Sequence, residues 1–320
     1  MKFFPSDTTW SLTRLAAGAV LALGAGFTTG CADTDMAEES EHETLQLAVG
    51  DTSCCAEGEE CYCRSEQPSI TSRNGTYRVS RYTIPRSSQH GGGTVYYPGD
   101  VEGKFSGAVF CPPFTGSQMM YAAWGPFLAS HGISLVTMDT RSVMDSVQSR
   151  GTQLAAMVAQ YRGEATRAGS PINGKLDAQR IGTMGWSMGG GATWIAANKD
   201  KTLKSSISFA GHNLTGGGAG NSRATTVPSL QLAGQADTGI LGGMGQSQGV
   251  YNIIPASTPK MLYVVRGVGH MSWGSPNAPT ATAGGYMLAW EKAFLDGDQR
   301  WKALLKQKPA NASEWKTNVQ

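Results

Sequence analysis

The sequence predicts an α/β fold, a mostly parallel twisted sheet with helices on both faces, and three observations predict it. After a β-hairpin, apolar runs of strand length alternate with helix-length segments, the order that a parallel sheet with crossover helices requires. Hydrophobic residues make up 40% of the 320-residue chain and charged residues 16%, enough to bury one large domain with an appendage. The pentapeptide Gly185-Trp186-Ser187-Met188-Gly189 stands between a strand and a helix, where a tight turn needs glycine on both sides of a serine. A net charge of +2 with no basic patch argues against nucleic acid or an acidic partner.

Taken in order, residues 1–31 read as an export signal rather than as fold. Lys2 and Arg14 give a positive start, and the apolar run from Leu15 to Phe27 is too short to span a bilayer. Thr28-Thr29-Gly30-Cys31 resembles a bacterial lipobox, which makes Cys31 the lipidation candidate and implies a lipid anchor at the cell envelope. Thr28 departs from the leucine usual there, and cleavage after Ala32, giving a freely soluble protein, is the alternative. Residues 32–70 are acidic and poor in apolar side chains, which reads as a solvated tether. They carry Cys54, Cys55, Cys61 and Cys63, expected to form two disulfides in an exported protein, with connectivity left open. A metal knuckle is the alternative, but this spacing matches no common zinc site. The sixth cysteine, Cys111, lies in an apolar strand and reads as a small buried hydrophobe.

The catalytic domain is expected over 71–320. Tyr77 to Ile84 and Gly93 to Pro98 flank a glycine-rich turn and read as the hairpin. Strands follow over Ser106 to Cys111, Ile133 to Met138, Ile181 to Met184, Leu203 to Ala210, Pro228 to Ala233 and Lys260 to Val265. Helices are expected over Gln118 to Ser130, closed by His131-Gly132, then Gln153 to Arg162, Ala192 to Asn198 and Gly285 to Leu305.

A serine hydroxyl needs a base for its proton, and the base needs a carboxylate to orient it. The α/β-hydrolase fold presents these in the chain order Ser, Asp or Glu, His. Of the five histidines, order removes His42, His90 and His131, the last standing at a helix end where capping explains it. Between Ser187 and His270 the only acids are Asp200 and Asp237. Asp200 sits in the charged turn Lys199-Asp200-Lys201, and it would be the only acid left to His212, so the two fall together. Asp237 and His270 each follow an apolar strand at its C-terminal end, where active-site loops gather. The expected triad is therefore Ser187, Asp237 and His270. The oxyanion donors expected are the amides of Met188, next after the serine, and Phe114, the first residue with an N–H after Pro112-Pro113.

With these residues in view, the chain resembles the bacterial polyester-degrading cutinases, the family that includes the poly(ethylene terephthalate) hydrolases. The likeness runs from about Tyr77 to Leu304 and includes Gly93–Pro98 (GTVYYP), Trp124–Gly132 (WGPFLASHG), Asp139-Thr140, Gly185–Gly191 (GWSMGGG), Val227-Pro228 and Phe294–Arg300 (FLDGDQR). It implies an α/β-hydrolase without a lid, an open, shallow cleft and a carboxylic ester substrate. It also implies that Phe114 and Met188 line the acyl-side subsite, that Trp186 lies beside the nucleophile, and that His212 stands where the family usually has a cleft tryptophan. The last is a departure, and losing an indole removes a face for stacking on an aromatic ring. The loop Thr238 to Gly243 and the residues His270 to Trp273 also depart from the family's pattern, and both imply altered subsites. The family's C-terminal disulfide cannot form, because no cysteine follows Cys111.

The expectation is a monomeric, secreted or envelope-anchored serine esterase of cutinase type, with an ester or polyester substrate and no cofactor or metal. A lipase or small-ester esterase on the same scaffold, a decayed binding module and an acyltransferase are the alternatives.

Overall fold

The computed structural model describes residues 54–56, 60–212, 222–238 and 243–320. The expected signal segment, Cys31 and the first part of the acidic stretch lie outside these residues. No helix among them is long and apolar enough to cross a membrane.

Nine strands form one sheet in the order β1-β2-β4-β3-β5-β6-β7-β8-β9 among the described residues. The hairpin β1 (Val79–Ile84) and β2 (Gly93–Pro98) is antiparallel, and β2 pairs antiparallel with β4 (Ser134–Met138). From β4 the sheet is parallel through β3 (Phe105–Cys111), β5 (Leu176–Trp186), β6 (Ser205–Phe209), β7 (Ser229–Gly234) and β8 (Lys260–Val265). The last strand, β9 (Ala312–Thr317), closes the far edge antiparallel to β8.

The central strands are buried on both faces, so they read as apolar runs, but their side chains still alternate between two cores. Ala108 and Phe110 of β3 join one cluster with Trp124, Leu128, Met287 and Trp290, beneath helices α1 (Trp124–Ser130) and α5 (Ala281–Glu291). Phe105, Val109 and Cys111 face the other, with Leu154, Met157 and Ala192 from α2 (Val147–Glu164) and α3 (Met188–Lys199). Burial pushes the Cys111 thiol up to about 12, so it stays protonated, as a small core side chain should.

Two elements differ from their expected form, and two more were not expected. The helix expected over Gln118 to Ser130 is a 3₁₀ turn, Gln118–Tyr121, followed by α1. Pro126 explains this, because proline fits only the first turn of a helix, where the missing N–H has no partner to lose. The closing helix stops at Glu291, passes through a π turn (Lys292–Asp296) to Gly297 at φ 79°, and resumes as a 3₁₀ stretch (Gln299–Lys306). Helix α4 (Gly243–Ile253) and strand β9 were not expected; three of the helix's eleven residues are glycines, so its composition speaks against a helix that packing enforces.

The acidic stretch was expected to be solvated through residue 70, but its described part packs as a strap on the domain. Cys54 pairs with Cys63 and Cys55 with Cys61, with Cα atoms 5.8 and 5.5 Å apart. The Cys54 carbonyl accepts from Gln299 N at 2.7 Å, Tyr62 N donates to Asp296 O at 2.8 Å, and Ile70 enters the core. The Tyr62 hydroxyl donates to Asp177 at the start of β5 (2.8 Å), and Arg64 donates to Gly132 O just ahead of β4 (3.1 Å). The strap thus lies along the N-terminal edge of the parallel strands. Under it, Asp296 accepts from Ser106 at the start of β3 and faces Lys292 Nζ at 3.4 Å.

Glu291 is fully buried next to Ser205 and Asp296, and burial pushes its carboxyl up to about 8, with Asp296 adding to the shift. The folded chain therefore holds a proton that the unfolded chain releases near about pH 4.3. Stability from this group is present below that pH and is lost as pH rises through about 8. Glu291→Gln keeps the shape and removes the titration. Thermal melts at pH 6 and pH 9 should show a smaller drop in Tm for the variant than for the parent; equal drops would refute the assignment.

Candidate active site

The site is assembled at the C-terminal edge of the parallel strands. Between β5 and α3 the chain turns sharply, and Ser187 at the tip has φ 57° and ψ −120°, a region an L-residue occupies only under constraint. Glycine is required beside it for space. A Cβ on Gly185 would lie 2.1 Å from Gly189 O, and one on Gly189 would lie 2.1 Å from Cys111 O. The serine backbone is held by neighbours on both sides: its N–H donates to Phe209 O, and its carbonyl accepts from Gly191 N and His212 N, at 2.9, 3.0 and 2.9 Å.

Ser187 Oγ lies 2.8 Å from His270 Nε2, and His270 Nδ1 lies 2.8 Å from Asp237 Oδ2. Asp237 follows β7 and His270 follows β8, and the two loops are laced together. Gln235 N donates to Val265 O and Ala236 N to Val268 O, both at 2.9 Å, and Gly267 N donates to the Gln235 side chain at 3.2 Å. The carboxylate of Asp237 is buried, with the backbone of Gly243 against it. In the tautomer this arrangement favours, Nδ1–H donates to the carboxylate and Nε2 is left to accept from the serine hydroxyl.

Met188 is the first residue of α3, so its amide has no acceptor within the helix and points out of the positive helix end. Phe114 occupies a turn closed by Gly116 N donating to Pro113 O at 3.0 Å, with Thr115 at φ 59° in the next position, as a type II turn requires. Contact of Gly189 with the carbonyls of Cys111 and Pro112 brings this turn beside the serine.

The two other expected cleft residues are nearly covered. Trp186 is 2% exposed and its indole donates to His270 O at 2.9 Å, so it pins the base loop from beneath. His212 is also 2% exposed, with Nδ1 2.9 Å from the Gln246 side-chain nitrogen on α4. The set-aside residues lie elsewhere: His90 beside Gln160, His131 beside Glu66, and Asp200 in an ion pair with Arg162. The sulfurs of Cys54, Cys55, Cys61 and Cys63 lie within 4.8 Å of one another, close enough to ligate a metal, but are engaged as disulfides.

Sequence reasoning missed Arg150. This fully buried guanidinium donates to Pro112 O, Asp145 O and Val143 O at 3.1, 3.0 and 2.6 Å, clamping the loop after β3 to the loop after β4. A single arginine on a helix carries no mark of this role. Sequence reasoning saw Gly243 as part of a glycine-rich loop that alters a subsite, and not as the residue whose bare backbone seats the acid.

A family model described as PET hydrolase-like matches residues 56–319. Cutinase 1 of Thermobifida cellulosilytica is 32% identical over 238 residues, covering 74% of this chain and 86% of the relative. Cutinase est1 of Thermobifida alba is 33% identical over 238 residues, 74% of this chain and 76% of the relative. A bis(hydroxyethyl) terephthalate hydrolase of Streptomyces coelicolor is 32% identical over 242 residues, 75% of this chain and 74% of the relative.

A methyl group at residue 243 would sit 2.2 Å from Asp237 Oδ2 and 3.0 Å from Ala210 O, so the carboxylate must shift off His270. Gly243→Ala should lower the turnover of 4-nitrophenyl butyrate by about 10²-fold, the cost of an ångström-scale misplacement. Circular dichroism should match the parent's. Turnover within about twofold of the parent would show that the contact does not hold the carboxylate.

Proposed function

Because the chain belongs to the PET hydrolase-like family and is a carboxylic ester hydrolase, we propose that it is an exported serine polyesterase working through an acyl-enzyme. The observation that carries this reading is the relay from Asp237 through His270 to Ser187, with 2.8 Å at each step. His270 Nε2 takes the hydroxyl proton as Ser187 Oγ bonds to the ester carbonyl carbon, and the carbonyl oxygen becomes an oxyanion. The amides of Met188 and Phe114 receive that oxyanion, and Asp237 stabilises the imidazolium. Collapse expels the alcohol, which takes the proton from Nε2. Water then attacks the acyl-enzyme, yields its proton to Nε2, and releases the acid as the serine regains its hydrogen. Phe114 and Met188 also contact the acyl group in this reading, while Trp186 and His212 act by supporting the site. Residues 1–31 serve as the export signal, with Cys31 as lipid-anchor site, and 71–320 carry the chemistry as a monomer.

The coverage of Trp186 and His212 favours one second reading, an esterase of small soluble esters, because neither ring offers a broad face to a polymer.

Soluble product released from aliphatic and aromatic polyester films, beside turnover of 4-nitrophenyl butyrate, tests both. The parent should erode film, and Ser187→Ala should lose on the order of 10⁴-fold or more on both substrates. Nitrophenyl turnover without film erosion selects the esterase. Turnover that survives Ser187→Ala refutes the serine mechanism.

A further inference from the structure

Six large hydrophobic side chains are exposed among the described residues: Phe114, Met119, Met120, Val143, Met144 and Met271. Scattered exposed hydrophobics need no explanation, but these are not scattered. All six lie on three loops at the C-terminal edge of the sheet, after β3, after β4 and after β8. Met119, Met271 and Met144 are 84%, 66% and 62% exposed.

The three loops form one surface. Thr115 N donates to Val143 O at 2.8 Å, and Arg150 holds both loops from below through Pro112 O and Val143 O. The carbonyl of Met120 lies 2.7 Å from where a Cβ on Gly274 would be, and the Trp124 indole donates to Trp273 O at 2.9 Å, which joins the loop after β8. Ser187 and His270 stand at the same edge of the sheet, after β5 and β8, beside this surface.

The ring is also almost free of charge. No Asp, Glu, Lys or Arg occurs between Lys104 and Asp139, or between Arg266 and Glu291. The charges of the middle loop are tied down: Asp139 accepts from the Gln118 amide and side chain, Asp145 from Ser142 N and Gln153, and Arg141 donates to Ser88 O. A protein partner would be met by a polar rim, and an anionic membrane by cations. An uncharged apolar solid asks for neither. It asks for side chains that conform to a rough surface, and the unbranched thioether of methionine does so better than any other apolar side chain.

We propose that this methionine-rich ring is an adsorption face for the surface of an insoluble, uncharged polyester, its methionines distinct from the groups that do the chemistry. The proposal rests on the polyesterase reading and deepens it. Adsorption places the ester-bearing surface against Ser187 and raises its local concentration without adding a contact in the transition state.

The test uses Ser187→Ala protein, so that film binding is read without erosion, with and without M119Q/M144Q. Glutamine keeps the length and flexibility of methionine and removes its apolar end. Depletion from solution onto poly(ethylene terephthalate) or aliphatic polyester film should fall about tenfold in the variant. The same two substitutions in the protein with Ser187 intact should leave 4-nitrophenyl butyrate turnover within about twofold. Unchanged film binding overturns the proposal, and so does an equal loss on film and soluble ester. Methionine-dependent binding to neutral phosphatidylcholine vesicles but not to film, or methionine-dependent self-association in sedimentation, overturns it in favour of a lipid surface or a second copy. Film binding that needs the methionines, in a protein that erodes no film, would leave the face standing and sink the polyesterase reading. Erosion with methionine-independent binding would do the reverse.

Discussion

The structure depends on one strained residue. Ser187 stands at φ 57° and ψ −120°, and such a backbone persists only where its surroundings over-determine it. Here they do. Three backbone hydrogen bonds fix the serine, two from the neighbouring strand and its loop and one from α3, and two glycines let β5, α3 and the end of β3 approach more closely than any side chain allows. The strain cannot relax without pulling α3 off the sheet. The serine hydroxyl therefore stays raised above the strand ends, and the first amides of α3 stay aimed at the same space.

The remaining parts of the site are precise because they borrow rigidity from that arrangement. Trp186, the residue before the serine, reaches under the base loop and holds His270 by its carbonyl. The base loop is laced to the acid loop by main-chain bonds, and the acid is seated against Gly243. Phe209, beside the elbow, packs on Phe110, Trp124 and Trp273 with ring centroids 5.4, 5.2 and 5.8 Å away. One aromatic cluster thus underlies the loops after β3 and β8. Pulling any one loop away costs contacts shared by the others, which is how loops come to position groups as precisely as strands do.

Legibility in the sequence followed the range of the interaction. The elbow was readable because glycine, serine and glycine act within five residues, and chain order narrowed the partner acid and base to two candidates each, between which placement at the end of an apolar strand decides. The central strands were readable from their apolar runs, and β8 was placed to the residue. What escaped depends on contacts far apart in the chain. Strand β9 (ASEWKT) is half polar, and pairing with β8 makes it a strand. The strap looked solvated because its acidic residues dominate its composition, whereas Tyr62, Arg64 and Ile70 decide where it goes. Arg150 resembles any helical arginine until the loops it clamps are in place.

The strap enters the domain at the edge of the sheet opposite Ser187. Cys54 is fixed there by its disulfide and by the amide of Gln299. The disulfide clasp and the catalytic groups thus stand at opposite ends of the parallel strands, so the covalent restraint on the chain and the serine's strained turn load different edges of one sheet.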